Sequence, residues 1–190
     1  MQALTRLFAC SLKIFGLVCH ASEKLIQLVR IILHENRQQH SIRFIIYFAT
    51  GASVDYFYKV CCLILLCPFV PRLSSQILPL FLPEAVQLFS LHGRLTPPAR
   101  TRTLTSFTNS SSTSVAPSLL LATDVAARGL DICDIDTVVQ FDPPTDAKAF
   151  SHRCGRTARA GRRGRAWVLL TGQELQYIGG NCQFPGSDLL

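Results

Sequence analysis

Arginine side chains are concentrated in one segment of this chain, between residues 147 and 173. The segment holds seven basic residues, six of them arginines, and no aspartate or glutamate. They are Lys148, Arg153, Arg156, Arg159, Arg162, Arg163 and Arg165. Because a guanidinium group is a planar fork that holds phosphate oxygens in pairs, this composition predicts binding of phosphate groups. The net charge of the whole chain is +7, so the remainder is neutral overall.

The spacing of these arginines separates two interpretations. A nuclear-localisation run or a non-specific RNA-binding patch would carry the same charge. Arg153, Arg156 and Arg159, however, recur at every third residue, and on a helical turn they would project from nearby faces. A targeting run needs neither this spacing nor the glycines at 155, 161 and 164. The spacing therefore favours a defined phosphate site.

Apolar strands alternate with helices in the part of the chain that must position these arginines. The patterns predict strands at 42–49, 88–91, 119–122, 137–141 and 166–170, and helices that begin at Ser22, near Ala52 and at Pro97. Such alternation is typical of an α/β fold, with a parallel sheet and helices on both faces. Because such sheets bind ligands beyond the carboxyl ends of their strands, we expect the chemistry in the loops after the third and fourth strands.

Length and composition exclude several other classes of protein. A chain of 190 residues that is 48% apolar can form one domain with a substantial core, and it is not intrinsically disordered. The eight cysteines form no C-x-x-C pair and match no zinc-site spacing, so we expect reduced, buried thiols. The apolar run at 60–70 is broken by Pro68 and is shorter than the roughly 20 residues that span a bilayer. We therefore expect no membrane partner.

Two longer motifs point to a family. The sequence A-T-D-V-A-A-R-G-L-D occupies 122–131, and H-R-C-G-R-T-A-R occupies 152–159. These segments closely resemble motifs V and VI of the DEAD-box RNA helicases. Upstream, F-I-I-Y-F-A-T at 44–50 resembles the motif IV strand. L-H-G at 91–93, with Arg100, resembles the segment that follows motif IV. Within that segment, Pro97 stands where the family has glutamine. Phrases at 21–25, 54–58 and 140–144 are most similar to the subfamily that acts on the large ribosomal subunit precursor.

The resemblance implies an ATP site on this chain. Arg156 and Arg159 would be catalytic, as the guanidinium groups that stabilise the γ-phosphate during hydrolysis. Asp131 would accept a hydrogen bond from the ATP ribose, and His152 would couple the nucleotide to domain closure. The alternatives are a solvated basic surface for the two arginines, a helix or turn cap for Asp131, and a structural histidine.

The resemblance also implies contacts with RNA and with another domain. The residues expected at RNA are Thr123, Gly129 and Arg100. The residues expected at a domain interface are His152, Arg153, Asp124 and Arg128. Gly129 could instead serve a turn that needs positive φ. Asp124 and Arg128 could pair with each other or across the interface.

By the same resemblance, the chain is a single RecA-like domain, the C-terminal one of two. Its 190 residues contain no G-x-x-x-x-G-K-[ST] loop, no D-E-A-D and no S-A-T sequence. The elements that hold the ATP phosphates and Mg²⁺ are therefore expected on a missing N-terminal RecA-like domain, which would be the partner of this chain. We expect ATP and Mg²⁺ as cofactors, and no turnover by this chain alone.

The predicted organisation has four parts. Residues 1–20 form an irregular N-terminal segment, and 21–178 form the helicase C-terminal domain. That domain carries an apolar, proline-rich insertion at about 61–83, which we expect to be the least regular part of the molecule. Residues 179–190 form an irregular tail.

The sequence supports one main interpretation of function. The chain is expected to be the C-terminal half of an ATP-dependent DEAD-box RNA helicase that acts in rRNA processing and large ribosomal subunit assembly. Its expected partner is pre-ribosomal RNA, and its expected location is the nucleus and nucleolus. Two alternatives stay open. One is a catalytically inactive RNA-binding fragment; the other is a gene-prediction fragment with unspliced or frame-shifted sequence at 61–83 and 179–190.

Overall fold

The computed structural model describes residues 3–8, 11–39, 42–66, 86–110, 116–124, 132, 135–144, 146–159 and 161–174. Within them the strands are β1 (Ala3–Phe8), β2 (Leu12–Val18), β3 (Arg43–Tyr47), β4 (Gln87–Leu91), β5 (Ser118–Ala122), β6 (Thr137–Gln140) and β7 (Gly164–Leu170). The helices are a 3-10 turn at Ala21–Glu23, α1 (Lys24–Gln39), α2 (Gly51–Leu66), α3 (Pro97–Ser110) and α4 (Ala147–Cys154).

All the strands belong to one sheet, in the order β1-β2-β7-β6-β3-β5-β4. The strands from β2 to β4 in this order are mutually parallel, and β1 pairs antiparallel with β2 at one edge. Strand β3 lies in the middle, with Ile45 opposite Leu120 of β5 and Val138 of β6. The predicted parallel sheet is confirmed, with two strands at the N-terminal end that the sequence analysis did not predict.

Apolar helices cover both faces of the sheet, as predicted. On one face α1 and α2 pack on the strands through Leu28, Ile32, Val54, Phe44, Ile46 and Leu121. On the other face α3 and α4 pack through Phe107, Phe150, Ile45, Leu120 and Val138. Central strands β3, β5 and β6 are buried along their whole length, and burying each large apolar side chain contributes about 1.5–3 kcal/mol.

The N-terminal segment differs from the prediction of an irregular chain. Residues 3–8 and 12–18 are strands, and β2 pairs with β7 from Leu12–Gly164 to Val18–Leu170. Lys13 interrupts the apolar run in the sequence, but in an extended strand its side chain reaches solvent while that of Ile14 is buried. Phe15 stacks on Trp167 at 4.5 Å between ring centres, which fixes β2 on the sheet.

Two further boundaries are corrected by the structure. Helix α2 continues to Leu66, so the first six residues of the 61–83 stretch are helical; residues 67–83 lie outside the described residues, and their irregularity stays a prediction. Helix α1 does not take its cap from Ser22. Instead the side chain of His20 accepts the Ser22 N–H and Glu23 accepts the His20 N–H, so the cap precedes the 3-10 turn. No helix in the described part of the chain is long and apolar enough to cross a membrane.

Lys24 joins the start of α1 to the loop after β7. Its Nζ donates to the main-chain oxygen of Phe141 at 3.2 Å and to Glu174 at 3.1 Å. Burial alone would raise the pKa of Glu174, but hydrogen bonds from Thr171 and Lys24 and the charge of Lys24 outweigh it, so this pKa lies below its ordinary value of 4.5. The ionised carboxylate therefore stabilises the fold.

This depressed pKa predicts a pH-dependent effect of Glu174→Gln. The stabilisation is complete above pH 4.5 and is lost as the pH falls through the lower native pKa. We expect the variant to lose about 1 kcal/mol of unfolding free energy at neutral pH, and to lose less than the wild type on acidification. Urea unfolding at pH 7 and at pH 4 measures both. Equal acid sensitivity of the two proteins would contradict the ion-pair assignment.

Candidate active site at the carboxyl edge of the sheet

Arg153, near the C-terminal end of α4, is buried, with 3% of its surface exposed. Its Nε and Nη2 donate to the two carboxylate oxygens of Asp124, each at 2.7 Å. Its Nη1 donates to the main-chain oxygen of Asp142 at 2.7 Å, and the guanidinium lies 5.0 Å from the centre of the Tyr47 ring. Asp124 follows β5, Asp142 follows β6 and Tyr47 ends β3. One side chain therefore ties together the carboxyl ends of three adjacent strands.

The burial of Arg153 corrects the interdomain role predicted for it. A guanidinium is tolerated inside a protein when its donors are satisfied, and here a bidentate carboxylate and a carbonyl satisfy them. Asp124 consequently pairs within the domain, with Arg153. The neighbouring His152 has an exposed side chain, and its contact with another domain stays a prediction.

Arg156 lies against the same strand end. Burial raises the pKa of the Tyr47 hydroxyl to about 12, while a hydrogen bond from Arg156 and the charges of Arg156 and Arg153 oppose that rise. Tyr47 is therefore neutral at physiological pH and accepts from Arg156. Its ring and its hydroxyl contact two successive arginines of the H-R-C-G-R motif.

Arg156 and Arg159 project from a loop and not from a helical face. Helix α4 ends at Cys154, and the N–H of Gly155 donates to the Ser151 oxygen at 2.8 Å. Arg159 is exposed, and its Nε donates to the Gly155 oxygen at 2.9 Å. The two arginines thus lie three residues apart on the segment that follows α4, described at 155–159 and 161–163, which we call the arginine loop.

Ala158 gives the arginine loop a strained turn. Its φ is +58°, in the left-handed region, where a side chain costs about 1–2 kcal/mol relative to glycine. The sequence analysis did not predict an effect at this position. The strain is held in place by the packing around the loop.

The strain predicts a stabilising substitution. Ala158→Gly removes the Cβ that disfavours positive φ, and we expect an increase of about 1 kcal/mol in the unfolding free energy. The increase should appear as a higher urea midpoint at constant slope. Gly172→Ala, where an added Cβ meets nothing within 4 Å, is the control and should leave the midpoint near that of wild type. A lower midpoint for Ala158→Gly would contradict the strained backbone.

Two residues predicted at RNA lie in one corner of this edge. Thr123 follows β5, is 6% exposed, and donates its N–H to the Leu91 oxygen at the end of β4. Arg100 on α3 donates to the oxygens of Leu95 and Gly93, at 3.1 and 2.8 Å. Both residues shape the loop after β4, and their contact with RNA stays a prediction.

The N-terminus of α2 lies at the same corner and was not singled out from the sequence. Thr50 caps this helix by accepting the Ser53 N–H, so the positive end of the helix dipole lies at the carboxyl edge. Asp55, one turn later, accepts from His92 at 2.8 Å and from Arg94. The order Thr50 to Ser53 is an N-cap signal that could have revealed this feature.

The other arginines of the basic segment are partly neutralised from distant parts of the chain. Arg165 is paired at 2.7 Å with the fully buried Glu35, which also accepts from the Trp167 indole at 2.9 Å. Arg162 is 3.5 Å from Asp136. The surface charge of segment 147–173 is therefore lower than its number of basic residues suggests. The Arg165–Glu35 pair also holds α1 to the sheet. Lys148, Arg159, Arg162 and Arg163 remain exposed.

Three residues of the predicted site lie outside the described residues: Arg128, Gly129 and Asp131. Their roles stay predictions. Asp124, the last described residue before them, pairs with Arg153.

Comparison with known proteins agrees with the geometry. Residues 23–161 match the family described as "Helicase conserved C-terminal domain". The chain is 48% identical over 164 residues to the ATP-dependent rRNA helicase SPB4 of Cryptococcus neoformans, covering 86% of this chain and 20% of that protein. It is 45% identical over 169 residues to SPB4 of Saccharomyces cerevisiae, covering 88% and 25%. The chain thus spans about a fifth to a quarter of the length of these relatives.

Solved structures show the same fold. The DEAD-box protein SrmB of E. coli, solved in complex with the regulator of ribonuclease activity A, superposes with a TM-score of 0.62 at 25% identity, over 92% of this chain and 84% of that chain. The chain therefore has the RecA-like fold of DEAD-box C-terminal domains.

Proposed function

Because this chain belongs to the helicase C-terminal domains of the DEAD-box family, we propose that it supplies the second half of the ATP site of an RNA helicase. The observation that carries the proposal is the arginine loop, which directly follows the Arg153–Asp124 pair at the end of α4. Arg156 donates to the hydroxyl of Tyr47, the last residue of β3, and Arg159 is exposed three residues later. A partner RecA-like domain would present the nucleotide to these arginines.

The charges of the arginine loop fit a polyphosphate. Arg156 and Arg159 would stabilise the negative charge that spreads over the γ-phosphate oxygens during transfer. Their fixed forks need no reorganisation when that charge develops. His152 and Asp131 would contact the nucleotide beside them. Among the described residues no group of three His, Cys, Asp or Glu side chains is placed to hold a metal ion, so Mg²⁺ would be held by the partner domain.

The RNA side of the proposal rests on the corner that contains Thr123 and Arg100. These residues, with Gly129, would contact the RNA backbone, where hydroxyl and amide groups bind phosphate without reading sequence. The relatives are named as rRNA helicases, which supports ribosomal RNA as the substrate. The motif resemblance extends this proposal to the precursor of the large subunit and to the nucleolus.

Reconstitution from two chains tests the catalytic part. The 190-residue chain should show no ATPase by itself, and a purified first RecA-like domain of a related rRNA helicase, added in trans with RNA and Mg²⁺, should produce RNA-stimulated ATPase. If the mixture stays at the level of the first domain alone while RNA still binds, the chain is an RNA-binding half without turnover.

The binding of RNA predicts a characteristic salt dependence. The chain alone should bind single strands of unrelated sequence with similar, weak affinity, because the contacts are to phosphate. The logarithm of the association constant should fall linearly with that of the salt concentration, by roughly 0.7 per phosphate neutralised. Fluorescence anisotropy at several salt concentrations measures the slope. An affinity that depends on sequence or ignores salt would contradict the proposed contacts.

A further inference from the structure

The arginine loop is pressed against the first residue of β7. A Cβ placed on Gly164 would lie 2.4 Å from the main-chain nitrogen of Ala158, 2.4 Å from the Thr157 hydroxyl oxygen and 2.7 Å from the Ala158 Cβ. No real Cβ tolerates such distances, and one of the blocking atoms is backbone. The main chain of Gly164 cannot easily move away from the loop, because its N–H donates to the Ser11 oxygen at 2.8 Å and the residue pairs with Leu12 of β2.

Thr157 holds the opposite side of the loop. Its hydroxyl lies 2.7 Å from the Ile135 oxygen and 2.9 Å from the Asp136 oxygen, just before β6. Thr157 and Ile135 also form a parallel bridge, and Thr157 is 3% exposed. Thr157, the first of the two residues between the arginines, is therefore held to the sheet by both its main chain and its side chain.

We propose that Thr157 and Gly164 are positioning residues that set the direction of Arg156 and Arg159. The inference rests on the proposed function for its catalytic consequence, but the geometry it asserts is independent of that function. Thr157 lies next to Arg156 and two residues before Arg159. Between them Ala158 takes the left-handed conformation that turns the chain, and Gly164 leaves the space this turn fills.

The contacts that Thr157 and Gly164 make with the arginine loop form a clamp. Two substitutions disturb this clamp from opposite sides. Thr157→Val keeps the shape of the side chain and removes the hydroxyl that reaches Ile135 and Asp136. Gly164→Ala adds a methyl group where Ala158 stands. Either change moves the arginines without touching them, and a displacement of about 1 Å at reacting groups can cost roughly 10²-fold in rate. Thr157→Ser restores the hydroxyl, and Gly172→Ala adds a methyl group where nothing lies within 4 Å.

The first readout is the kinetics of the two-chain ATPase. We expect Thr157→Val and Gly164→Ala to lower kcat by roughly tenfold to a hundredfold, with the RNA affinity of the chain unchanged. Thr157→Ser and Gly172→Ala should behave as wild type. A wild-type kcat for Thr157→Val, or a loss that Thr157→Ser does not rescue, overturns the proposal.

The second readout needs no ATPase. In ¹⁵N-labelled chain, the Arg159 Nε–H donates to Gly155 and the Arg153 Nε–H donates to Asp124, so both should give distinct side-chain resonances. Thr157→Val and Gly164→Ala should shift the Arg159 resonance and leave that of Arg153, which also reports that the domain is folded. If the Arg159 resonance of both variants overlays wild type, the clamp does not exist. If the Arg159 resonance of the variants shifts while the wild-type mixture shows no ATPase, the positioning role is confirmed and the proposed function is contradicted.

Discussion

Replacing Arg159 with alanine should abolish the RNA-stimulated ATPase that we expect from this chain in combination with a first RecA-like domain. The side chain is exposed on the arginine loop, and its Nε donates to the Gly155 oxygen, so the guanidinium is held at the surface of the domain. A guanidinium supplied to the γ-phosphate is worth 10³–10⁵ in rate, so we expect a loss of roughly 10³-fold. Arg159→Lys should recover only part of it, because an ammonium group is a point charge without a fork.

Controls separate this catalytic loss from damage to the fold or to RNA binding. Because Arg159 is exposed, Arg159→Ala should change the unfolding free energy by no more than about 0.5 kcal/mol. RNA binding by anisotropy should be nearly intact. Arg30→Ala, which removes an exposed arginine from α1, should leave the ATPase unchanged. An Arg159→Ala mixture that keeps its activity would remove Arg159 from the catalytic site.

The largest effect on stability is expected from Asp124→Ala. The substitution leaves the Arg153 guanidinium, 3% exposed, without the carboxylate that accepts two of its hydrogen bonds. Breaking a buried ion pair from one side costs about 3–5 kcal/mol, because the remaining charge is neither solvated nor paired. Urea unfolding followed by circular dichroism measures the loss as a lower midpoint at constant slope.

An exposed ion pair provides the comparison. Arg94 is 62% exposed and pairs with Asp55, and Arg94→Ala should cost less than about 1 kcal/mol because water replaces the lost partner. Combining Asp124→Ala with Arg153→Met removes both buried charges, and the double variant should be more stable than Asp124→Ala alone. A similar cost for Asp124→Ala and Arg94→Ala would contradict the burial of the pair.

Local patterns predicted most of the framework. The β-rich runs that become β3, β4, β5, β6 and β7 are each short, apolar and bounded by turn residues, so their type follows from neighbours in the sequence. The fold class follows from their alternation with helices. The motifs at 122–131 and 152–159 identified the family because each is long and the two stand in a fixed order.

Long-range partners could not be predicted in the same way. Asp124 and Arg153 are 29 residues apart, and Glu35 and Arg165 are 130 apart, so no local pattern shows that these charges meet. Arg153 was therefore expected at a surface and lies in the interior. Ser110 and Ser118 flank a stretch rich in serine and threonine, yet their hydroxyls share a buried hydrogen bond of 2.8 Å. Polarity alone does not distinguish a satisfied polar group from an exposed one.

The pairing of β2 with β7 has a consequence for how this domain is made. Leu12 lies opposite Gly164 and Val18 opposite Leu170, so a strand near the start of the described chain completes its ladder with one near the end. Central strand β3 likewise pairs on its two sides with β5 and β6, which are both synthesised later. Contacts between distant parts of a chain form slowly, and a parallel sheet has few others. During synthesis, the edge of β2 that pairs with β7 stays unpaired until β7 has left the exit tunnel, and we expect the nascent domain to be prone to edge-to-edge aggregation throughout that interval.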